Sequence, residues 1–246
     1  MYKLRVFSPN SSCAPLRNMI LPKRILLRLG STTPLISKFK YIELNSIDGI
    51  RKSANKILMK KCFDEARIHH SEWINSVKEN NIIEFFKEHK IIIAKHKHSS
   101  KGNDIYYIDT MEKMIDFLDN QNFKEFVFEK YYFFPQEYRV HVDVNNGCFY
   151  ACKKVLKEDA DVEWHKHANN SVFVLAMNPE KRPACWDAMI EDCQKIMKNM
   201  KLDIICFDVL CSNNEFIIVE SNTAPCLANN GINYYCNHLN KYFKNR

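Results

Sequence analysis

Residues 204–227, IICFDVLCSNNEFIIVESNTAPCL, set the tightest constraint on how this chain folds. Two apolar runs flank the polar stretch Ser212 to Glu215, a pattern that predicts two strands joined by a turn. Three oxygen-bearing side chains interrupt those runs: Asp208 in the first, Glu220 and Asn222 in the second. Successive side chains on a strand point to opposite faces, so Glu220 and Asn222 share one. A three-residue loop, Asn213 to Glu215, sets Asp208 directly opposite Glu220; a two-residue loop sends Asp208 to the other face and breaks the group. Two carboxylates and an amide gathered at one end of a hairpin are hard oxygen donors. That chemistry suits Mg2+, which keeps its other positions for water and substrate phosphates.

Such a hairpin needs a core behind it, and the composition allows one. With 246 residues, 46% of them hydrophobic, the chain can bury a substantial core as one large domain or as two to three lobes. Glycine and proline are scarce, 5 and 8, which excludes collagen-like and low-complexity chains. No apolar run reaches the roughly 18 residues of a membrane-spanning helix. The 10 cysteines are spread through apolar runs with no CxxC pair, and MYKLRVFSPN lacks an apolar stretch of signal-peptide length. Reduced, mostly buried thiols in a cytoplasmic protein are therefore expected. The formal charge of +7 comes from dispersed lysines without a nucleic-acid motif, so nucleic acid is not an expected partner. Gripping a triphosphate calls for the same excess of cations.

Along the first half, Leu4 to Phe7, Arg24 to Leu29 and Tyr41 to Leu44 predict short strands, the second ending in Gly30-Ser31-Thr32-Thr33-Pro34. Asp48 is placed to cap a helix whose apolar face runs from Ile50 to about Ile68, with Asn55 and Lys56 in its interior. A strand near His70 to Ile74 and a helix near Asn81 to His89 follow. Ile91 to Ala94 then form a buried strand ending in Lys95, before a loop at 96–104 with small residues at Ser99, Ser100 and Gly102 beside Lys101. A cation in that position is well placed to meet phosphates under a flexible loop. Ile105 to Ile108 return as a strand, Thr110 caps a helix, and Phe126 to Phe128 run into Glu129, Lys130 and Tyr131.

In the second half, strict alternation puts Glu137, Arg139 and His141 on one strand face, which is either solvated or a polar site. Asn145-Asn146-Gly147 is a hairpin turn into Cys148 to Val155, where Lys153 and Lys154 face opposite ways. A polar loop from Glu163 to Asn170, carrying His165, Lys166 and His167, precedes a strand at Val172 to Met177. Arg182 to Lys201 predict a helix with an inner stripe of Trp186, Met189, Cys193 and Ile196, and Ile232 to Phe243 a closing aromatic helix.

Asp208 followed by Glu220-Ser221-Asn222 and a small-residue and proline segment resembles the metal-binding end of the ATP-grasp superfamily. Glu137-Tyr138-Arg139 after the Glu129 to Tyr131 stretch, and Lys95 before its loop, are similar to further parts of that family. The resemblance covers about 28–230 and implies an α+β fold, two lobes clasping ATP between antiparallel sheets. It assigns 1–47 to a reduced N-terminal α/β lobe, 48–128 to the small lobe with its lid at 96–104, and 129–246 to the large lobe. By the same resemblance Asp208, Glu220 and Asn222 hold Mg2+, or Mn2+ in its place, against the phosphates of ATP. Lys56, Lys95, Ser99, Ser100, Lys101 and Gly102 approach those phosphates, Glu129, Lys130 and Tyr131 line the adenine pocket, and Glu137 meets the ribose. Arg139 holds the transferring phosphoryl group or acyl phosphate, and Lys154, preferred over Lys153, joins it. The implied reaction is ATP-dependent ligation of a carboxylate to an amine or similar nucleophile, on small-molecule, peptide or protein substrates, in a family whose ligases are often homodimers. A kinase of the same fold and a nucleotide-binding module without chemistry are the alternatives. His165 and Lys166 stand where compact members often carry Arg and Asn.

Overall fold

The computed structural model describes residues 16, 25–34, 41–99, 104–167, 169–225, 227 and 231–243. The strand expected at Leu4 to Phe7, the lid residues Ser100, Lys101 and Gly102, and Asn229 and Asn230 lie outside them.

Strands β1 (Ile25–Leu27) and β2 (Ile42–Leu44) pair in parallel, and helices α1 (Ile47–Ala54) and α2 (Lys56–Ala66) follow. β3 (Trp73–Ile74), α3 (Glu79–His89), β4 (Ile92–His96), β5 (Ile105–Ile108), α4 (Met111–Asn120) and β6 (Phe126–Lys130) build a four-stranded antiparallel sheet in the order β3-β6-β4-β5. β7 (Gln136–Asp143), β8 (Gly147–Leu156), β9 (Ser171–Leu175), α5 (Trp186–Met200), β10 (Ile204–Cys211), β11 (Phe216–Asn222) and α6 (Gly231–Phe243) follow. Their five strands run β11-β10-β7-β8-β9, also antiparallel. Among the described residues no helix is long and apolar enough to cross a membrane.

Helices cover one face of each sheet. Trp186, Met189, Cys193, Ile196 and Met197 of α5 pack on Val140, Val142, Ile205 and Phe207 of the larger sheet. Ile50, Met59 and Phe63 of α1 and α2 join the same cluster, so these two helices build the core of the five-stranded sheet, not of the four-stranded one. Phe63 is fully buried there, which is worth about 1.5–3 kcal/mol. Ile82 and Phe86 of α3 and Met114 and Phe117 of α4 pack on Ile92, Ala94, Phe126 and Phe128. α6 packs through Tyr235 and Leu239 on part of the other face of the larger sheet, beside Ile204 and Phe149; the rest of that face and the open face of the smaller sheet line one cleft.

Three elements depart from expectation. The continuous helix capped by Asp48 is two helices: Ser46 Oγ accepts from the Gly49 N–H at 3.0 Å, and Asp48 sits inside the first turn, 3.0 Å from Lys52. Asn55 breaks the run in an extended conformation (φ −110°, ψ 112°), and its side chain accepts from Ile57 and Leu58 N–H, starting α2. An asparagine offers the backbone that alternative to a helical bond. Lys56 thereby becomes the first residue of α2, and its N–H donates to Lys97 O at 3.0 Å, tying the helix to the smaller sheet. The helix expected from Arg182 begins at Trp186, after a single 3-10 turn at Pro179–Lys181.

The third departure lies in the hairpin itself. Cys211 pairs with Phe216 across a turn of residues 212–215, not across the expected three-residue loop. That register by itself would set Asp208 against Val219 and send Glu220 to the far face. A bulge intervenes: Val209 pairs with Ile218 and Asp208 with Glu220, leaving Val219 as the extra residue. The expected pairing of the two carboxylates exists, produced by a longer turn and a compensating bulge.

Candidate active site

The uncovered faces bound a cleft with about 880 Å³ of empty space, part of it open to solvent and within the range of small-ligand sites. Ile93, Lys95, Ile105 and Glu129 line it from the smaller sheet; Glu137, Lys154, Asp208, Leu210, Ile217, Val219 and Glu220 line it from the larger. Apolar walls thus give way to charge at the end where the hairpin's carboxylates emerge.

At that end Arg139 of β7 stands opposite Asp208 of β10 in the sheet register. Its Nε and Nη2 donate to Asp208 Oδ1 and Oδ2 at 2.7 and 2.8 Å, while its Cζ lies over the Phe173 ring, 4.8 Å from the centroid. Burial opposes ionisation of Asp208, yet Arg139 and then Lys154 outweigh it and hold its carboxyl at about 2. Glu220 is directly across from Asp208, and Asn222 Nδ2 comes within 3.4 Å of Asp208 Oδ2. Among the described residues no three His, Cys, Asp or Glu converge as a metal site. The set is instead two carboxylates and an amide. Such donors fit Mg2+ bound partly through substrate phosphates, because each carboxylate oxygen has a second lone pair free of the guanidinium.

Three lysines approach the same end from the other side. Lys56 Nζ donates to Ser99 O and lies 3.9 Å from Glu220 Oε1, so the first turn of α2 grips the base of the lid loop. Lys95 of β4 stands 2.9 Å from Glu129 Oε1. Lys60, which pattern reasoning passes over, is fully buried 2.9 Å from Glu129 Oε2 and donates to Ser71 Oγ at 2.7 Å. Its one signal in sequence is the spacing Lys56, Lys60, one helical turn apart. Glu129 therefore lines the cleft with its carboxylate turned to two ammoniums.

Of the two lysines on β8, Lys154 is the one on the cleft wall; it donates to Glu137 Oε1 at 2.8 Å and to Lys166 O at 2.9 Å. Lys166 Nζ lies 3.5 Å from the other Glu137 oxygen. The polar loop is thus fastened across the cleft mouth, where Trp164 meets Tyr107 of β5 at 5.1 Å and stacks on His165. Asn170 Nδ2 donates to His165 O at 2.9 Å and holds the loop's return. Burial, and then Lys154, lowers His165 to about 4, so its imidazole is neutral at physiological pH. Tyr131 packs edge-on to Tyr107 on the cleft wall. Lys130 also lines the cleft, with its ammonium on Glu72 at 2.7 Å.

His141 shares the strand face of Glu137 and Arg139 but lies beyond the cleft, fully buried, with Nδ1 2.9 Å from Tyr235 Oη of α6. Burial and the Arg139 charge lower its pKa to about 3 from the usual 6.5. In the unfolded chain it takes up a proton near 6.5, in the folded chain only near 3, so its contribution to stability is lost progressively as pH falls between those values. The urea midpoint of a His141→Gln variant is therefore expected to change less between pH 7 and pH 5 than that of the unaltered protein. Equal slopes would exclude His141 from the acid response.

No family model and no curated protein matches the chain. Solved structures do. D-alanine–D-alanine ligase from Bacillus anthracis aligns with a TM-score of 0.59 at 13% identity, over 74% of this chain and 61% of that one. PsnB, described as an ATP-grasp ligase and solved with precursor peptide PsnA2 and AMPPNP, aligns with a TM-score of 0.62 at 12% identity, over 84% and 64%. Carboxyaminoimidazole ribonucleotide synthase from Aspergillus clavatus, solved with ATP, aligns at 0.60 and 12%, over 81% and 53%. This chain spans less than two thirds of each, 53% to 64% of their lengths. The likeness is one of fold.

Proposed function

We propose, from the ATP-grasp fold of this chain and the charged cleft between its four-stranded and five-stranded sheets, that the protein is an ATP- and Mg2+-dependent ligase. It joins a carboxylate to an amine or similar nucleophile through an acyl phosphate and releases ADP and phosphate. The observation that carries this reading is the juxtaposition in one cleft: Asp208 paired with Glu220 and clamped by Arg139, with Lys154 on the same sheet and Lys56 and Lys95 also in the lining. A site rich in fixed charge suits phosphoryl transfer, where positioning and neutralisation do most of the work.

Asp208, Glu220 and Asn222 supply the oxygens that hold Mg2+, which when bound neutralises charge on the triphosphate. Lys56, Lys95 and Lys154 orient the phosphates, and Tyr131 and Ile93 bound the apolar end for the base. Glu137 turns to the ribose once Lys154 and Lys166 exchange it for phosphate oxygens. A substrate carboxylate oxygen then attacks the γ-phosphorus, and ADP departs with the electron pair of the broken P–O bond. Arg139 stabilises the charge on the transferring group. The amine nitrogen attacks the acyl carbon, phosphate leaves with the C–O electron pair, and the nitrogen loses a proton.

Incubation with ATP, Mg2+, panels of carboxylates and amines, and hydroxylamine tests the reading. ADP release that depends on a carboxylate, with hydroxamate formed in step, is the expected result. Peptides belong in the panel because PsnB was solved with one. ATP bound without ADP release in any combination overturns ligation and leaves a binding module; phosphorylation of a hydroxyl without hydroxamate makes it a kinase.

A further inference from the structure

Lys60 is not in the cleft wall, yet its surroundings bear on the charge the cleft presents. It lies on α2 one turn beyond Lys56, fully buried, and reaches Glu129 from the core side. Its Nζ stands 2.9 Å from Oε2 of Glu129 and donates to Ser71 Oγ, which donates in turn to the same Oε2. Oε1 of Glu129, on the cleft side, has Lys95 Nζ at 2.9 Å but no hydrogen-bond partner among the described residues. Lys95 is therefore paired by charge and not locked by direction, and its N–H groups can turn to another acceptor. One carboxylate sits between two ammoniums, one in the core and one in the wall of the cleft.

The charge count gives this arrangement a consequence. A lone Glu129–Lys95 pair is neutral and offers an anion little. Burial pushes the Lys60 ammonium below its usual range and the Glu129 carboxylate opposes that shift; with both lysines protonated, Lys60, Glu129 and Lys95 together carry a net +1, and of the two lysines only Lys95 lines the cleft. Burying a third ion is expensive and a neutral isosteric pair would pack as well, so stability alone gives a weak reason for Lys60 to be a lysine. We infer that Lys60 is a positioning residue for the nucleotide site: it balances Glu129 from behind, so that Glu129 holds Lys95 in place without cancelling the charge Lys95 turns toward the triphosphate. The inference rests on the nucleotide reading proposed above. The Glu129 carboxyl supports it, held at about 2 because Lys60 and Lys95 overcome the burial that opposes its ionisation.

Titration calorimetry with ATP in excess Mg2+ on the full chain tests it. Lys60→Met is expected to raise the Kd for ATP by about tenfold, equivalent to 1.4 kcal/mol. The double variant Lys60→Met/Glu129→Gln restores the net +1 on Lys95 while an amide oxygen at position 129 still accepts from its ammonium, and it is expected to return the Kd to within about threefold of the unaltered chain. A purely structural role predicts the opposite order, the double variant binding no better than the single. If Lys60→Met does not fold, the double variant, which removes both core-side charges together, still decides: a Kd raised more than about tenfold overturns the inference. Tight ATP binding that is unchanged in Lys60→Met overturns it alone. No ATP binding by the unaltered chain overturns the nucleotide reading and this inference with it.

Discussion

Asp208→Ala is expected to destabilise the ligand-free protein by about 3–5 kcal/mol, the loss typical of leaving one partner of a buried ion pair uncompensated. The Arg139 side chain is only 15% exposed, and both of its bonds to Asp208, at 2.7 and 2.8 Å, vanish together. The Phe173 ring, 4.8 Å from the guanidinium carbon, offers a π face and no counter-charge. A urea midpoint that falls with the slope unchanged is the readout. Adding Arg139→Met to the same variant is expected to recover part of the loss, because the orphaned charge is then gone. The pH dependence has a definite sign. The folded-state pKa of Asp208 is depressed to about 2, so the pair's contribution is fully present above the unfolded value near 3.8 and disappears as pH falls through 2. A loss below about 1 kcal/mol for Asp208→Ala would mean that water reaches Arg139 and that the clamp is weak.

Glu220→Ala separates binding from stability. ATP with Mg2+ at about 100 times Kd is expected to stabilise the unaltered protein by roughly 2.7 kcal/mol. In the variant that stabilisation is expected to vanish while the ligand-free protein changes by less than about 1 kcal/mol. The reason is exposure: the Glu220 side chain is 33% exposed and its nearest cation, Lys56, is 3.9 Å away. Glu220 thus contributes little to the fold, and as a proposed Mg2+ ligand it contributes greatly to the complex. Stabilisation by ATP and Mg2+ that is equal in the two proteins would remove Glu220 from the metal site and undo the reading of the hairpin.

Much of this architecture is legible in local sequence patterns. Alternation along 137–143 places Glu137, Arg139 and His141 on one face, and that face is shared in the sheet. The Asn145-Asn146-Gly147 turn and the Thr110 cap lie where short-range chemistry predicts, since both depend on a few adjacent residues. Helix boundaries near 46–55 are less legible, because Ser46, Asp48 and Asn55 are all competent caps and α1 also packs closely against α5. Gly49 shows how close that packing is: a Cβ there would lie 2.3 Å from Met200 O.

The amino-acid sequence by itself determined which residues could form the site: strands with carboxylates at Asp208 and Glu220, a strand ending in Lys95, and a strand face carrying Glu137 and Arg139. Tertiary structure decided what those charges are bound to. A one-residue change of turn length is silent in composition and is corrected by a bulge at Val219 that no local pattern announces. Lys60 reads as one more solvated helix lysine until the fold sets Glu129 and Ser71 against it. Periodicity follows from bond geometry along a few residues, whereas the partner of a buried charge comes from elements far apart in the chain, and only their packing brings the two together.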